Sequence, residues 1–276
     1  MNELQCGRYR LSLERPLLMG IINVTPDSFS GDGVHTDLSR AAAQARRMIE
    51  EGAALLDIGG ESSRPGAQTV EIEDELRRVL PLLEALADCG VPLSVDTAKP
   101  AVMRQALAAG ADMINDINAL RAPGALEAVA GSGAALCLMH MRGEPRTMQE
   151  CPHYEDAVAE VRDFLVERVT AARAAGIADA RIVIDPGFGF GKSLAHNLTL
   201  LRHLDQFAAL GLPLLAGLSR KSMLGKITGR QPEQRLAASV AAALLAAQRG
   251  AKILRVHDVA ATRDALAIQW AVDSAE

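Results

Sequence analysis

The amino-acid sequence predicts an α/β fold, the TIM or (β/α)8 barrel. Eight short apolar runs alternate with helical segments, and nearly every run ends in a polar or charged residue. Such alternation is typical of a parallel sheet covered by helices. The 276 residues of the chain suit one barrel, which usually takes about 250. Because the carboxyl ends of barrel strands share one face, we expect the polar residues to form a single site there.

The periodicity of apolar residues places the individual elements. The predicted strands are residues 17–24, 55–59, 93–95, 113–114, 135–139, 182–184, 213–218 and 253–256. Apolar spacings of three and four predict helices between them. These include residues 38–51, 73–87, 154–175, 198–210 and 233–249, and a further helix that begins near Pro100.

The chain is predicted to form one barrel domain, residues 17–276, preceded by a short hairpin or extension at residues 1–16. Leu4, Leu11 and Leu13 fit the alternation of a hairpin, and Gly7 could turn it. No linker rich in Ser, Gly or Pro divides the remainder. Hydrophobic residues make up 49% of the chain and aromatics 3%, so aliphatic side chains are expected to fill the core.

Composition favours a soluble cytoplasmic protein that binds small molecules. The amino terminus lacks the basic and apolar regions of a signal peptide. The longest apolar stretch, residues 236–247, is interrupted by Ser239 and is shorter than the ~20 residues of a membrane span. The four cysteines show no metal-like spacing and are expected to be reduced. A net charge of -5 without a basic stripe argues against nucleic acid as a partner.

A local basic pocket is expected where the seventh and eighth strands end, because this corner of a barrel often holds phosphate. Arg220, Lys221, Arg255 and His257 follow those strands. Arg255 and His257 are two residues apart, so both point the same way from an extended strand. They form either a clamp for an anion or, in the case of Arg255, a salt bridge to a carboxylate. Arg64 adds a loop cation from the opposite side of the mouth, or is simply solvated.

Carboxylates also gather at the strand ends: Asp57, Glu61, Asp96, Asp116 and Asp185. A fixed carboxylate accepts two parallel hydrogen bonds from a planar heterocycle with an amino group beside a ring N–H. Asp185 is the best candidate for this role, and Asn115 can both donate and accept at a ring edge. Each aspartate is alternatively a helix cap or a loop brace. For Asp57 and Asp116, this structural role as a helix cap or loop brace is preferred over ligand binding.

The glycine-rich segment at residues 187–193 superficially matches a phosphate-binding P-loop. The spacing fails by one residue, because the first glycine of the pattern would fall on Pro186. The segment also follows the sixth strand of a barrel instead of opening a nucleotide fold. Its glycines are therefore expected to let Phe190 lie along a ligand pocket.

Five motifs occur in order along the chain. They are MGIINVTPDSFS from Met19, GGESSRPG from Gly59, DPGFGFGK from Asp185, SRKS from Ser219 and RVH from Arg255. Together they resemble dihydropteroate synthase, a family of pterin-binding TIM barrels, from about residue 17 to the C-terminus. The resemblance implies that p-aminobenzoate and 6-hydroxymethyl-7,8-dihydropterin pyrophosphate give 7,8-dihydropteroate and pyrophosphate in folate biosynthesis. It also implies a sulfonamide target.

The resemblance implies a role for each matching residue. Mg2+ is the implied cofactor, coordinated by Asn23. The pterin is held by Asp96, Asn115, Asp185, Lys221 and Arg255. The pyrophosphate contacts Asn23, Ser63, Arg64, Arg255 and His257. p-Aminobenzoate lies against Thr25, Pro26, Phe29, Pro65, Phe190, Lys221 and Ser222. Catalysis is assigned to Asp96, Lys221, Arg255 and His257. The family usually has Thr where this chain has Ser63, which keeps the hydroxyl and loses a methyl group.

The implied reaction is a dissociative substitution. Pyrophosphate leaves a CH2 group on an electron-rich ring, so positive charge can spread into the pterin. Stabilising the leaving anion then matters more than a strong base. No nucleophile with a paired base is recognisable, and a covalent enzyme intermediate is not expected.

Two other functions fit parts of the pattern. A pterin-binding methyltransferase would share Asp96, Asn115 and Asp185 but would not need the phosphate-binding residues. A catalytically silent paralogue that acts as a binding protein would be expected to have lost a phosphate ligand, and none is lost here. The resemblance also implies a homodimer, formed through the Ala-rich helix at residues 236–247 or its neighbours.

Overall fold

The predicted barrel is confirmed. The computed structural model describes residues 2–24, 34–62, 66 and 69–275, with the backbone alone for residues 34–37. Its strands are β1 (Glu3–Cys6), β2 (Tyr9–Ser12), β3 (Leu17–Asn23), β4 (Leu55–Gly59), β5 (Leu93–Asp96), β6 (Met113–Asp116), β7 (Ala135–Met139), β8 (Ile182–Asp185), β9 (Leu215–Ala216) and β10 (Ile253–Val256). Within the described residues, β3 to β10 form an eight-stranded sheet.

The sheet curves into a nearly closed barrel of parallel strands. Its order is β8-β7-β6-β5-β4-β3-β10-β9, and a parallel bridge between Ile184 and Leu214 joins its two outer strands. The predicted seventh strand at residues 213–218 is reduced to β9, Leu215–Ala216. Three of the other strands, β4, β7 and β10, have the predicted bounds.

Helices cover the outside of the barrel. They are α1 (Val34–Glu50), α2 (Ile72–Ala85), α3 (Pro100–Ala108), α4 (Ala125–Ala130), α5 (Ala157–Ala174), α6 (Leu194–Arg202), α7 (Asp205–Ala208), α8 (Ser222–Thr228), α9 (Leu236–Gln248) and α10 (Val259–Asp273). The helix predicted at 198–210 is in fact α6 and α7. Leu204 and Phe207 are both fully buried, so the apolar spacing continues across the break and hides it. In the described part of the chain, every helix is too short or too polar to cross a lipid bilayer.

The end of the barrel where the strands begin, called here its lower end, is apolar and is closed by the amino-terminal hairpin. Strands β1 and β2 pair antiparallel, and Gly7 turns the chain with φ +57°, a conformation that glycine adopts without steric cost. Leu4, Cys6 and Leu13 pack against the lowest inward-facing layer. That layer consists of Met19, Leu55, Met113, Ala135, Val183, Leu215 and Ile253, and Cys137 lies two residues further along β7 than Ala135.

The inward-facing side chains become polar toward the carboxyl ends of the strands. Successive inward positions in a strand are two residues apart. Two residues beyond the apolar layer come Asp57 after Leu55, Asn115 after Met113 and Asp185 after Val183. The same step leads from Ile253 to Arg255. The barrel therefore presents its polar residues at one mouth.

Leu4 tests whether the hairpin stabilises the barrel. Its side chain is fully buried, so Leu4→Ala should lower the free energy of unfolding by about 2 to 5 kcal/mol, through lost burial and the cavity left behind. Denaturant unfolding measures this. Leu198→Ala is the control, because Leu198 is 42% exposed and its loss should cost no more than about 0.5 kcal/mol. Equal effects in the two variants would show that the hairpin does not brace the barrel.

Candidate active site

Arg255 lies between two carboxylates at the mouth of the barrel. Its Nε donates to Asp57 Oδ2 at 2.6 Å, and its Nη2 donates to Asp96 Oδ2 at 3.0 Å. Asn115 Nδ2 donates to the same Asp57 oxygen at 3.0 Å. These four residues, which we call the Arg255 network, come from β10, β4, β5 and β6. The salt bridge considered from the sequence therefore exists, and it lies inside the candidate site.

The role preferred for Asp57 from the sequence, a helix cap or loop brace, is wrong. Asp57 is fully buried in the barrel interior, because the alternation along β4 points it inward two residues after Leu55. It fixes the side chains of Arg255 and Asn115. Its other oxygen, Oδ1, is buried and has no hydrogen-bond partner among the described residues. The available signal was a carboxylate inside a fully buried apolar strand, because such a charge requires a partner.

The Arg255 network shifts the pKa values of its members. Burial raises the pKa of Asp96 to about 7. The negative charge on Asp57 also raises this pKa, whereas the guanidinium of Arg255 lowers it. Burial alone would lower the pKa of Arg255, but Asp57 and Asp96 raise it above its usual value. Arg255 therefore stays charged, whereas Asp96 can exchange a proton near neutral pH.

Asp185, Lys221 and Phe190 form the adjoining wall. Asp185 Oδ1 accepts from the Gly187 N–H at 2.7 Å. Burial raises the pKa of Asp185, with Lys221 opposing the shift. Lys221 Nζ donates to the Phe188 carbonyl and lies 4.7 Å from the centroid of the Phe190 ring. Burial lowers the pKa of Lys221 to about 8, although Asp185 favours its charged form.

His257 follows β10 and is held by Ser219, which lies shortly after β9. Its Nδ1 lies 2.9 Å from Ser219 Oγ, and its backbone N–H donates to the same oxygen at 3.2 Å. The neighbouring Arg220 pairs with Asp258 through two hydrogen bonds, of 3.1 and 2.6 Å. The guanidinium of Arg220 is thus committed to a carboxylate, which corrects the expectation that it would join the basic pocket.

The remaining strand-end residues have structural partners or flank the site. Asp116 accepts from the N–H groups of Asn118 and Leu120, both at 2.7 Å, which confirms its predicted role as a loop brace. Glu61 pairs with Lys99 and accepts from the Val70 N–H at 3.2 Å. Glu61 therefore connects Lys99 with the backbone of Val70.

The structure brings together most of the predicted site residues that it describes. Asp96, Asn115, Asp185, Lys221, Phe190, Arg255 and His257 are placed as given above. Asn23 ends β3, and its Cα pairs with that of Gly59. Ser222 begins α8 and is exposed. The predicted residues Thr25, Pro26, Phe29, Ser63, Arg64 and Pro65 lie outside the described residues. Within the described ranges, no three His, Cys, Asp or Glu side chains form a group suited to a metal ion.

Comparison with known proteins places this chain in a protein family. Residues 19–257 match the model of the family described as pterin binding enzyme. The match runs from Met19, within β3, to His257, the residue after β10. The chain therefore belongs to this family.

The relatives that match over the full length share one name. The dihydropteroate synthase of Escherichia coli (strain K12) is 51% identical over 267 residues, which are 96% of this chain and 95% of that protein. The structure of the Xanthomonas albilineans dihydropteroate synthase with 4-aminobenzoic acid is 59% identical with a TM-score of 0.94, and it covers 100% of this chain and 99% of that one. A structure of dihydropteroate synthase from Xanthomonas albilineans in complex with 7,8-dihydropteroate is 54% identical with a TM-score of 0.89, and it covers 100% of this chain and 100% of that one.

A dihydropteroate synthase from Yersinia pestis in a sulfonamide complex is 50% identical with a TM-score of 0.94, and it covers 99% of this chain and 100% of that one. Within the family, the chain is thus a member of the dihydropteroate synthases, which are transferases.

The raised pKa of Asp96 predicts a pH-dependent stability. Between about pH 4 and the folded pKa of about 7, the folded protein holds a proton on Asp96 that the unfolded chain has lost. The contribution of Asp96 to stability therefore falls as pH rises through this window and is constant above it. Asp96→Asn removes the titration, so the unfolding free energy of the variant should increase relative to the wild type from pH 4 to 7. If the unfolding free energy of the variant minus that of the wild type stays constant or decreases over this range, the raised pKa of Asp96 is contradicted.

Proposed function

We propose that this chain joins p-aminobenzoate to 6-hydroxymethyl-7,8-dihydropterin pyrophosphate and releases pyrophosphate. The observation that supports it most strongly is the convergence of Asp96, Asn115, Asp185, Lys221 and Arg255 at one mouth of the barrel. This set offers carboxylates, an amide and cations to a polar ring. Relatives bound to 4-aminobenzoic acid and to 7,8-dihydropteroate support the same substrates.

Asp96, Asn115 and Asp185 are proposed to hold the edge of the pterin. Asp185 and Asn115 are each more than nine-tenths buried, so a ligand hydrogen bond there would be shielded from water. Asp185 Oδ1 already accepts from a backbone N–H, which fixes the carboxylate for two parallel bonds to an amino group and a ring N–H. Lys221 contributes a donor beside Asp185. Arg255 presents its remaining face to the ring.

The pyrophosphate site is proposed to combine Asn23, Ser63, Arg64, Arg255 and His257. Arg255 keeps its positive charge because two carboxylates raise its pKa. Mg2+ fits the donor chemistry of Asn23, since Mg2+ binds hard oxygen ligands, keeps several waters and commonly takes the rest of its ligands from substrate phosphates. When bound, the ion would neutralise negative charge on the leaving group. Chelation by EDTA should abolish pyrophosphate release, and Mg2+ should restore it.

p-Aminobenzoate is proposed to lie against Phe190, Lys221 and Ser222, with Thr25, Pro26, Phe29 and Pro65 contributed by the first two loops. The Lys221 ammonium beside the Phe190 ring supplies a positive charge for the carboxylate of the substrate. The ring of Phe190 supplies an apolar face for the benzene ring.

The chemical step is proposed to be a dissociative substitution. As the C–O bond breaks, negative charge develops on the pyrophosphate near Arg255 and His257, and positive charge develops on the pterin near Asp96 and Asp185. Both interactions strengthen in the transition state, so they accelerate the reaction instead of only binding the substrate. Asp96, Lys221, Arg255 and His257 are accordingly proposed as the catalytic residues. The amine of p-aminobenzoate is already a nucleophile when neutral, and water can accept its proton.

We also propose that the chain works as a cytoplasmic homodimer, with residues 1–16 as a hairpin and residues 17–276 as one pterin-binding domain. Apolar side chains are exposed on α9 and α10, namely Leu236, Leu245, Ile268, Trp270 and Val272. Burial of such a patch between two copies would remove it from water. Sedimentation equilibrium tests this proposal, and a monomer at micromolar concentration would contradict it.

Asp185→Asn should weaken binding of the pterin pyrophosphate. The amide keeps the shape of the side chain but has one acceptor oxygen and no charge, so the loss should be about 1.5 to 3 kcal/mol. Titration calorimetry with the pterin pyrophosphate measures it. Asp163→Asn is the control, since Asp163 is exposed on α5 and its replacement should leave the affinity unchanged. An unchanged affinity in Asp185→Asn would remove Asp185 from the pterin site.

A further inference from the structure

Lys192 is a buried lysine outside the residues assigned to the substrates. Only 2% of its surface is exposed. It lies near the end of the glycine-rich loop at residues 186–193, which connects β8 and α6. Its Nζ contacts the carbonyl oxygens of Gly187 and Phe190 at 2.9 Å and that of His140 at 3.2 Å. It also lies 2.9 Å from His140 Nδ1. The amine therefore joins both sides of its own loop to the end of β7.

The loop needs this connection because it lies directly on the backbone after β7. A Cβ atom at Gly187 would be 1.9 Å from the His140 carbonyl oxygen, and one at Gly191 would be 2.2 Å from that of Arg142. Glycines at positive φ permit the close approach but are conformationally free in the unfolded chain. Donors must then hold the loop in one conformation. Lys192 supplies three N–H donors as an ammonium and two as a neutral amine, so it holds carbonyl oxygens of the loop in either form.

Two further side chains support the same loop. Tyr154 Oη donates to the Gly191 carbonyl at 2.9 Å. Asn197 accepts from the Gly189 N–H at 2.7 Å and donates to the Lys192 carbonyl at 3.2 Å. The loop is thus held by buried polar groups from α6 and from the segment before α5, with Lys192 at the centre of these contacts.

The contacts of Lys192 affect the two substrate regions differently. Asp185 lies on β8, where its Cα pairs with Met139 and its carbonyl accepts from the His140 N–H at 2.9 Å. The sheet therefore fixes the backbone of Asp185 without Lys192, and only the contact of its carboxylate with the Gly187 N–H reaches into the loop. Phe190 lies within the loop and has its carbonyl bound by Lys192. Loss of the Lys192 contacts should displace Phe190 more than Asp185.

We propose that Lys192 is a positioning residue that fixes Phe190 where p-aminobenzoate binds. It therefore affects binding of p-aminobenzoate more than binding of the pterin. The inference rests on the proposed function, because it takes Phe190 as a contact of p-aminobenzoate. Lys192 acts through the loop and touches neither substrate. It sets the place of the aromatic ring against which the arylamine lies.

Lys192→Met tests the proposal, because methionine fills similar space and donates no hydrogen bond. The KM for p-aminobenzoate should rise about tenfold or more, as expected when a binding group is displaced. The dissociation constant of the pterin pyrophosphate, measured by calorimetry, should change much less. Lys192→Gln keeps two N–H donors and should give an intermediate KM, and it replaces Lys192→Met in the test if the Met variant does not fold. Lys226→Met is the control, since Lys226 is exposed on α8.

Phe190→Ala distinguishes failure of this inference from failure of the proposed function. If Phe190→Ala raises the KM for p-aminobenzoate and folded Lys192 variants do not, the positioning role is wrong while the proposed site stands. If Phe190→Ala leaves that KM unchanged, the assignment of Phe190 is wrong, and the inference about Lys192 is overturned with it. Equal weakening of both substrates in Lys192→Gln would also overturn the inference, because it would indicate a general loss of structure.

Discussion

The site depends on one buried positive charge, the guanidinium of Arg255, and on the two carboxylates that compensate it. A charge removed from water costs several kcal/mol unless it is paired and hydrogen-bonded. Asp57 and Asp96 supply that pairing at 2.6 and 3.0 Å. Two carboxylates for one guanidinium leave an excess of negative charge, which burial makes unfavourable. The raised pKa of Asp96 is the consequence.

This constraint fixes residues from four strands at once. Asp57 holds both Arg255 and Asn115, so the side chains proposed to bind the ligand are oriented before it arrives. Orientation in advance reduces the entropy that binding must overcome. Asp57 Oδ1 has no hydrogen-bond partner within the described part of the chain, which marks the cost of the arrangement, because a buried acceptor without a donor is destabilising. Apolar packing lower in the barrel, closed by Leu4, Cys6 and Leu13, supplies the stability that allows a polar mouth.

Much of the fold could be predicted because its signals are local. Strands β4, β7 and β10 had clear limits, since short apolar runs end there in glycine or are followed by histidine. Strand β9 was predicted too long because apolar residues after it are buried without being paired in the sheet. Leu218, for example, is 2% exposed yet lies outside the strand. Apolar sequence reports burial, and a strand additionally requires a hydrogen-bonded neighbour.

The site was predicted less evenly. The strand-end position of Asp185 and Asn115 made them recognisable, whereas Asp57 was assigned to the wrong role because its partners, Arg255 and Asn115, are distant in sequence. Lys192 was noticed only as the last residue of the DPGFGFGK motif and as part of a failed P-loop pattern, and no role was predicted for it. Its contacts with His140 arise from the crossing of two loops, and no local pattern reports such a crossing.

Asp57→Asn measures the central claim most directly, with Asp112→Asn as a matched control. Asp112 is also buried, at 4% exposure, but it binds the hairpin and β5 at the other end of the barrel. Calorimetric titration with the pterin pyrophosphate should show a loss of about 1.5 to 3 kcal/mol in Asp57→Asn, because Arg255 loses a charged partner and its fixed orientation. Asp112→Asn should retain the wild-type affinity. Wild-type affinity in folded Asp57→Asn would contradict the account, because Arg255 and Asn115 would then be oriented without the buried carboxylate.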